Sequence, residues 1–406
     1  MADLSDGDPM PRGGTLPNID MSRPLSAYVH VPFCRHRCGY CDFNTYTSTE
    51  LGPGATPGDY DSELITEIAL AADVLDGGRS LATVFFGGGT PTFLEASQLV
   101  HILGVLDLTF GLDDGAEVTT EANPGTLDPT YVKALARGGF TRISVGMQSA
   151  VPSVLATLDR QHTPEKVPQV IDMIRGEGLR ASLDLIYGTP GESIDEWKRS
   201  LEAVLEIDPG HVSAYGLGIE PGTKMGAQVA RGVLPPTDPD DLAAKYEIAD
   251  KMLTSAGYRW YEVSNWAKPG AESRHNIAYW NNDNWWGFGP GAHSHINGTR
   301  FWNVKHPRAW AERLRGGGSP GAGIETLSAA EQAEERIMLG VRLSTGIRYT
   351  EGIDTTDRVA LAERRRVTME LVSDGLIEPA NLAAGRIVLT LKGRLLADTV
   401  IRALWA

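Results

Sequence analysis

From residue 25 onward, short runs of Val, Ile, Leu and Ala alternate with longer stretches whose apolar residues recur three and four positions apart. The short runs have the length of strands and the longer ones the period of helices, so the alternation predicts βα units around a parallel sheet. The strands are expected over 27–31, 81–86, 117–121, 142–146, 181–187 and 211–217, and the helices over 61–74, 96–106, 129–136, 149–158, 164–177 and 194–206. Six sequential units make an α/β fold, a partial TIM-like (β/α)6 barrel, whose site should lie where strands end and loops begin. Unusual residues gather on that rim. A cysteine loop follows the first strand, a glycine run the second and Gln148 the fourth, while Glu121-Ala122-Asn123-Pro124 closes the third; Asp184 lies in the fifth and Tyr215 in the sixth.

Past residue 217 the pattern changes. A helix over 240–255 and a strand over 258–263 precede a polar and aromatic segment over 264–286, and Asn297-Gly298 between apolar residues predicts a hairpin turn. The run Arg315-Gly316-Gly317-Gly318-Ser319-Pro320-Gly321 reads as a linker. It divides a barrel with its extension, 23–312, from a C-terminal domain, 326–406, whose helices over 329–343 and 358–373, strand over 386–391 and last helix look winged-helix-like. Residues 1–22 are rich in Asp, Pro and Gly and lack an apolar segment, so they read as a disordered tail, neither signal nor anchor.

Composition narrows the function classes. With 42% hydrophobic and 22% charged residues the chain is of ordinary globular make-up, and no stretch approaches the 18 or so apolar residues of a membrane helix. A net charge of −15 opposes binding to phosphate backbones. From residue 326 on, 11 Arg and Lys balance 11 Asp and Glu, so the C-terminal domain lacks the basic footprint of a DNA reader and no nucleic-acid partner is expected. Arg364-Arg365-Arg366 reads as a solvated helix face.

All three cysteines, Cys34, Cys38 and Cys41, fall within eight residues at C-x3-C-x2-C spacing, with Tyr40 before the last and Phe43 after it. Three thiols cannot pair off, and so few in one chain point to a reducing cytoplasmic setting, where clustered thiols bind metal. Zinc would need a fourth ligand such as His30 or His36; an iron-sulfur cluster held by three thiolates would keep one iron open. The run Gly87-Gly88-Gly89-Thr90-Pro91-Thr92 is first a backbone feature, letting a ligand approach the main chain. It has neither the Lys of a P-loop nor G-x-G-x-x-G spacing, so phosphate binding does not follow.

The cysteine spacing followed by Gly-Gly-Gly-Thr-Pro resembles the radical S-adenosylmethionine (SAM) superfamily. Tyr28-Val-His-Val-Pro-Phe-Cys34, Glu121-x-Asn-Pro, Gly146-Met-Gln148-Ser, Leu158-Asp-Arg160-x-His162-Thr and Asp184-Leu-Ile-Tyr-Gly188-x-Pro190 are similar to blocks of its coproporphyrinogen III oxidase-like subgroup, over nearly the whole chain from Ser26. The resemblance implies a 4Fe-4S cluster on Cys34, Cys38 and Cys41 with SAM on the open iron. It implies SAM contacts from Tyr28, Gly88, Gly89, Thr90, Glu121, Gln148, Arg160 and Asp184. Carboxylates, an arginine and amides suit a molecule carrying an ammonium, a carboxylate, a sulfonium and ribose hydroxyls.

Arg274-His275-Asn276-Ile277-Ala278-Tyr279-Trp280 is open to two readings, a packed aromatic segment or a surface for a porphyrin. On the residues alone the two stand even. H-N-x2-Y-W is similar to a motif of heme chaperones in the subgroup, which implies heme contacts from His275, Asn276, Tyr279 and Trp280; Trp285 to Ser294 resembles the wider subgroup, which makes His293 and His295 secondary candidates for heme contact, with a structural role as the first reading. In the subgroup's oxidases a further cysteine lies two residues beyond the last cluster ligand; here that position is Phe43, as in the chaperones. The resemblance therefore implies a heme chaperone that hands heme to recipient apo-hemoproteins, associates with a membrane face and forms a homodimer. An oxygen-independent coproporphyrinogen III dehydrogenase and a zinc-dependent interaction protein are the rivals. The sequence names no electron donor, no catalytic residue and no need to cleave SAM.

Overall fold

The computed structural model describes residues 7–51, 56–77 and 79–405. Six parallel strands follow one another in sequence and in space: β1 (Leu25–Val31), β2 (Leu81–Gly88), β3 (Leu112–Ala122), β4 (Arg142–Gln148), β5 (Arg180–Tyr187) and β6 (His211–Gly216). The connecting helices are α1 (Tyr60–Val74), α2 (Ala96–Phe110), α3 (Pro129–Arg137), α4 (Pro152–Thr157), α5 (Lys166–Gly176) and α6 (Ile194–Ile207). Every expected strand is present. One helix is shorter than its expected 149–158, because Gln148 takes a left-handed φ of 64° and Val151 is extended, so no helix can start before Pro152.

Strict alternation organises the layers. In β4, Ile143, Val145 and Met147 point outward under the helices, while Arg142, Ser144, Gly146 and Gln148 point inward. The outward set is largely apolar, the buried Thr120 of β3 being an exception, and forms one large core with the helices. Each buried aliphatic side chain there contributes about 1.5–3 kcal/mol relative to exposure.

The sheet does not stop at six strands. Beyond β6 come α7 (Lys224–Ala230), α8 (Pro239–Ser255) and the antiparallel pair β7 (Arg259–Glu262) and β8 (Asn265–Ala267), with β8 extending the sheet beside β6. After α9 (Arg274–Trp280), β9 (Asn284–Phe288) joins the other side parallel to β1, followed by the antiparallel strands β10 (His293–Ile296), β11 (Thr299–Asn303) and β12 (Gly321–Thr326). The result is an open sheet of thirteen strands. The expected Asn297-Gly298 turn joins β10 to β11, both residues at positive φ.

Two expectations are corrected here. The glycine-rich run 315–321 is not the domain boundary: it turns the chain from α10 (Pro307–Arg315) into β12, and the sheet continues to Thr326. Gly317, at φ 67°, serves the turn, and Gly321 serves close approach, since a Cβ there would lie 2.4 Å from the Met10 side chain. Nor is the N-terminus a loose tail from residue 7 on; residues 1–6 lie outside the described set. Asp8–Pro9 pairs with β12, Met10, Leu16 and Met21 pack on the core, and the carbonyl oxygens of Arg12 and Asp20 accept hydrogen bonds from Ser319 and Asn284.

The C-terminal unit has a core of its own, with Val341, Leu371, Ile377, Ile387 and Ile401 packed among α11 (Ala329–Gly340), α12 (Arg358–Ser373) and α13 (Ala397–Trp405). The strand expected over 386–391 is only Arg386–Ile387, paired with Ile347–Arg348, because Leu391 already begins a helical turn. Arg364-Arg365-Arg366 is a solvated helix face in part: Arg365 and Arg366 are exposed, Arg366 paired with Glu363 and Glu370, whereas Arg364 is buried against the Glu351 and Leu404 carbonyls. The unit is fastened to the barrel by Arg394, which lies 4.4 Å over the Trp260 ring and bonds both carboxylate oxygens of Asp250, at 2.7 and 3.0 Å.

Candidate functional site

Where β1 to β6 end, a cavity of about 520 Å3 opens, and the inward-facing positions line it. Cys34, Cys38 and Cys41 share its wall with Gly88, Gly89 and Thr90 from the end of β2, Glu121 from β3, Gln148 from β4, Asp184 from β5 and Arg160 from the loop after α4. The cavity thus brings together the cysteines and most of the sequence-expected contacts. The cysteine loop is pinned from three sides: the Cys34 N–H donates to Tyr46, the Gly39 N–H to Leu158, and the Met225 N–H to the Gly39 carbonyl.

The glycine run fits tightly around that loop. Gly88 has φ 108°, and a Cβ there would come within 2.6 Å of the His30 ring; one at Gly89 would meet the Phe33 carbonyl at 2.6 Å and the Cys34 sulfur at 3.0 Å. At Gly88 and Gly89 it is therefore main chain that packs against the cysteine loop. Burial pushes the Cys34 thiol up to about 11, the Thr90 hydroxyl partly offsetting it, and burial also raises Cys41. Such thiols stay protonated until a metal centre displaces the proton.

The electrostatics are mixed. Arg160 donates to the Cys38 sulfur at 3.4 Å and to the Gly146 carbonyl at 2.9 Å. Two half-buried carboxyls line the same cavity. Burial, reinforced by the charge of Asp184, pushes Glu121 up to about 8, and its Oε2 accepts from the Gly88 N–H at 3.2 Å. Asp184 is also raised by burial, while the Ser213 and Ser144 hydroxyls pull the other way. A pair of desolvated carboxyls beside a cavity suits a cationic ligand, whose arrival would ionise them.

Sequence reasoning missed the cavity floor. Thr119, Arg142, Ser182, His211 and Ser213 line it, all on strands, all buried. Arg142 makes an ion pair with Glu117 at 3.3 Å and donates to the carbonyl oxygens of Ala271 and Glu272. The missed signal was the period itself: Arg142-x-Ser144 and His211-x-Ser213-x-Tyr215 place polar residues on alternate positions of strands otherwise wholly apolar.

Tyr28, His275, Tyr279 and Trp280 stand outside the cavity lining, and only Asn276 of that motif reaches it. Tyr28 donates its hydroxyl to His30 Nδ1 at 2.9 Å, because His30 Nε2 donates to the Asn44 carbonyl. His275 is 1% exposed, with Nδ1 2.6 Å from the Thr83 hydroxyl and Nε2 2.9 Å from the Tyr279 hydroxyl. Both nitrogens are engaged within the protein. Burial lowers it to about 3, so it is neutral. Asn276 and Trp280 lie against the carboxyl of Glu262, which burial pushes up to about 7. His295 is buried too, donating to the Asp283 carbonyl and accepting from the Gly298 N–H.

Comparison with known proteins decides the family. Residues 28–204 match the model of the radical SAM superfamily. The chain is 46% identical over 383 residues to the heme chaperone HemW of Mycobacterium tuberculosis, covering 94% of this chain and 95% of that protein. The chain belongs to the HemW family of radical SAM proteins. The HemW of Bacillus subtilis is 33% identical over 380 residues, 93% of this chain and 98% of its own. The structure of the Escherichia coli coproporphyrinogen III oxidase HemN superposes with a TM-score of 0.80 at 23% identity, covering 94% of this chain and 90% of that one, which shows a shared fold.

Membership of the radical SAM superfamily implies a 4Fe-4S cluster and SAM as cofactors, and the residues fit both. Among the described residues no three His, Cys, Asp or Glu side chains converge on a single-ion centre. A cuboidal cluster asks for something else: each thiolate binds a different iron, so three thiols spaced around one cavity suit it better than they suit a closed zinc shell. Among the described residues no helix is long and apolar enough to cross a membrane.

Proposed function

We propose that the protein is a heme chaperone that works in the cytoplasm: it binds heme in a stoichiometric complex and hands it to recipient apo-hemoproteins, with cluster and SAM held in the barrel cavity. The observation that carries this reading is the 46% identity over 94% of the chain to a protein named as a heme chaperone. In the proposal Cys34, Cys38 and Cys41 hold the cluster, and Gly88, Gly89, Thr90, Glu121, Gln148, Arg160 and Asp184 hold SAM.

Each residue has a task that needs no further chemistry. The Gly88–Gly89 main chain presents polar backbone atoms at close range, Glu121 and Asp184 compensate the ligand's positive charge, and Arg160 takes a carboxylate while steadying Cys38. When bound, a cluster with SAM on its open iron supplies one-electron chemistry at the sulfonium. Phe43 supports delivery over porphyrin oxidation: it lines the lip of the cavity at 62% exposure, and its phenyl ring can neither ligate metal nor exchange electrons as a thiol would.

The deciding experiment reconstitutes the cluster anaerobically, titrates hemin, and assays coproporphyrinogen turnover and heme transfer to an apo-hemoprotein on the same sample. One hemin per chain and transfer without turnover are expected. Catalytic turnover of coproporphyrinogen, or no saturable hemin binding, would overturn the proposal.

A further inference from the structure

Three histidines around the barrel have no free nitrogen to offer a metal, and His162 and His211, whose Nδ1 atoms have no partner, are buried. His30, His275 and His295 are buried with both ring nitrogens hydrogen-bonded, and His306 spends Nδ1 capping α10. His293, at the start of β10, differs in a way that matters for metal binding. It is exposed, and its Nδ1 lies 3.0 Å from the Gly291 carbonyl. A carbonyl only accepts, so the proton sits on Nδ1 and the Nε2 lone pair points away from the backbone. That second-sphere arrangement sets an imidazole up to ligate through Nε2. Burial of its flank lowers the pKa of His293, with the nearby Lys305 charge adding to it, so the ring is neutral at pH 7.

The surroundings fit a flat, apolar, doubly anionic ligand. Trp302 is the cross-strand partner of His293, its ring at 6.1 Å and 23°. Two residues apart on one strand, His293 and His295 share a face, and His295 pairs across to Trp285, so Trp285 stands on that face as well. Its indole Nε1 donates to the His293 carbonyl at 3.1 Å. The His275 motif reaches this surface at second hand: Tyr279, held by His275, packs edge-to-face on Trp285 at 4.8 Å. Lys305 lies close enough for its charge to bear on His293 and would face a propionate.

We propose that His293 Nε2 is the axial ligand to heme iron, that the indoles of Trp285 and Trp302 flank the macrocycle, and that His275 and Tyr279 are positioning residues that fix Trp285. This rests on the heme reading above and moves the iron from the motif to the neighbouring sheet face. Ligation forms one dative bond from nitrogen to iron and displaces at most a water; no electron is transferred.

The test uses the full chain with its cluster reconstituted, titrated anaerobically with hemin and followed by Soret absorbance and electron paramagnetic resonance. His293→Ala should bind hemin at least about tenfold more weakly with a changed spin-state spectrum, while keeping cluster content and SAM affinity. His275→Ala should keep the wild-type ligation spectrum. His293→Gly supplied with imidazole should regain that spectrum, and this variant decides the matter if His293→Ala loses its cluster. Wild-type affinity and spectrum in His293→Ala, or no recovery of His293→Gly with imidazole, overturns the assignment. Absence of saturable hemin binding by the unaltered protein instead removes the heme reading itself, so the two failures are told apart.

Discussion

The hydroxyl of Tyr279 sits 2.9 Å from Nε2 of His275, with the two rings edge-to-face at 4.7 Å, one turn apart on α9. The bond closes off an imidazole that is otherwise sealed by Thr83 below and stacked on Phe85 at 5.0 Å. Removing the hydroxyl leaves a buried nitrogen without a partner. Tyr279→Phe is therefore expected to cost about 1–3 kcal/mol of stability, read by urea unfolding of the cluster-free chain. A cost within error of zero would show that the nitrogen finds another partner.

The same imidazole gives a pH signature. Its folded value, about 3, is depressed below the 6.5 of an exposed histidine. As the pH falls below 6.5 the unfolded chain takes up this proton first, so the histidine's contribution is fully present above 6.5 and is lost as pH falls toward its folded value. The slope is about 1.4 kcal/mol per pH unit. Glu67 and Glu262, both raised to about 7 by burial, act in the opposite sense, so the informative quantity is a difference. The stability gap between wild type and His275→Ala should narrow from pH 6.5 to 5; a constant gap would contradict the depressed value.

Glu121 predicts how SAM affinity depends on pH. Burial first and Asp184 second hold its carboxyl at about 8 in the ligand-free site, so at pH 7 it must give up a proton to meet a cation. Affinity should rise from pH 6 to 8, with calorimetric heats that depend on the buffer's ionisation enthalpy. Glu121→Gln should weaken binding by about 1.5–3 kcal/mol and flatten the profile. An unaltered slope in the variant would assign the proton elsewhere.

The three thiols should act as a unit. Replacing any one of Cys34, Cys38 and Cys41 by Ser is expected to abolish bound iron and sulfide after anaerobic reconstitution, with far-ultraviolet circular dichroism unchanged, because the loop is held by main-chain bonds that do not involve sulfur. Full iron content in a single variant would point to a fourth ligand.

Arg394 holds the C-terminal unit to the barrel through Asp250 and Trp260, its side chain only 11% exposed. Arg394→Met should lose about 1.5–3 kcal/mol of docking and speed proteolysis between residues 326 and 345, measured by limited digestion. An unchanged cleavage pattern would show that other contacts suffice.

The βα order and all six parallel strands were legible because each strand buries an apolar face whose period survives in sequence. So was the rim, since Gly88, Glu121 and Gln148 stand at strand ends. Of the seven further strands, the one over 258–263 and the Asn297-Gly298 hairpin were legible, and the others were harder to see. β8 spans only Asn265–Ala267, β9 sets two adjacent tryptophans on opposite faces, and β12 opens on the glycine-rich run, so no alternation announces them. The glycines around residue 321 misled because sequence does not distinguish a glycine chosen for freedom from one chosen for closeness. The partners of His275 were not legible at all: a motif names a residue type, and only the positions of Thr83 and Tyr279 reveal that both nitrogens are hydrogen-bonded.

Asp8–Pro9 lies on the outer margin of β12, where a strand would otherwise offer its row of N–H and carbonyl groups to any passing chain. Proline there has no N–H to pass the pairing on, so the short segment works as a selvage that finishes the fabric and stops it from being extended. Trimming the chain at residue 22, as its low-complexity look invites, would unpick that hem and leave a sticky border, and fibrous or clumped material from such a truncation would have its cause in those two residues.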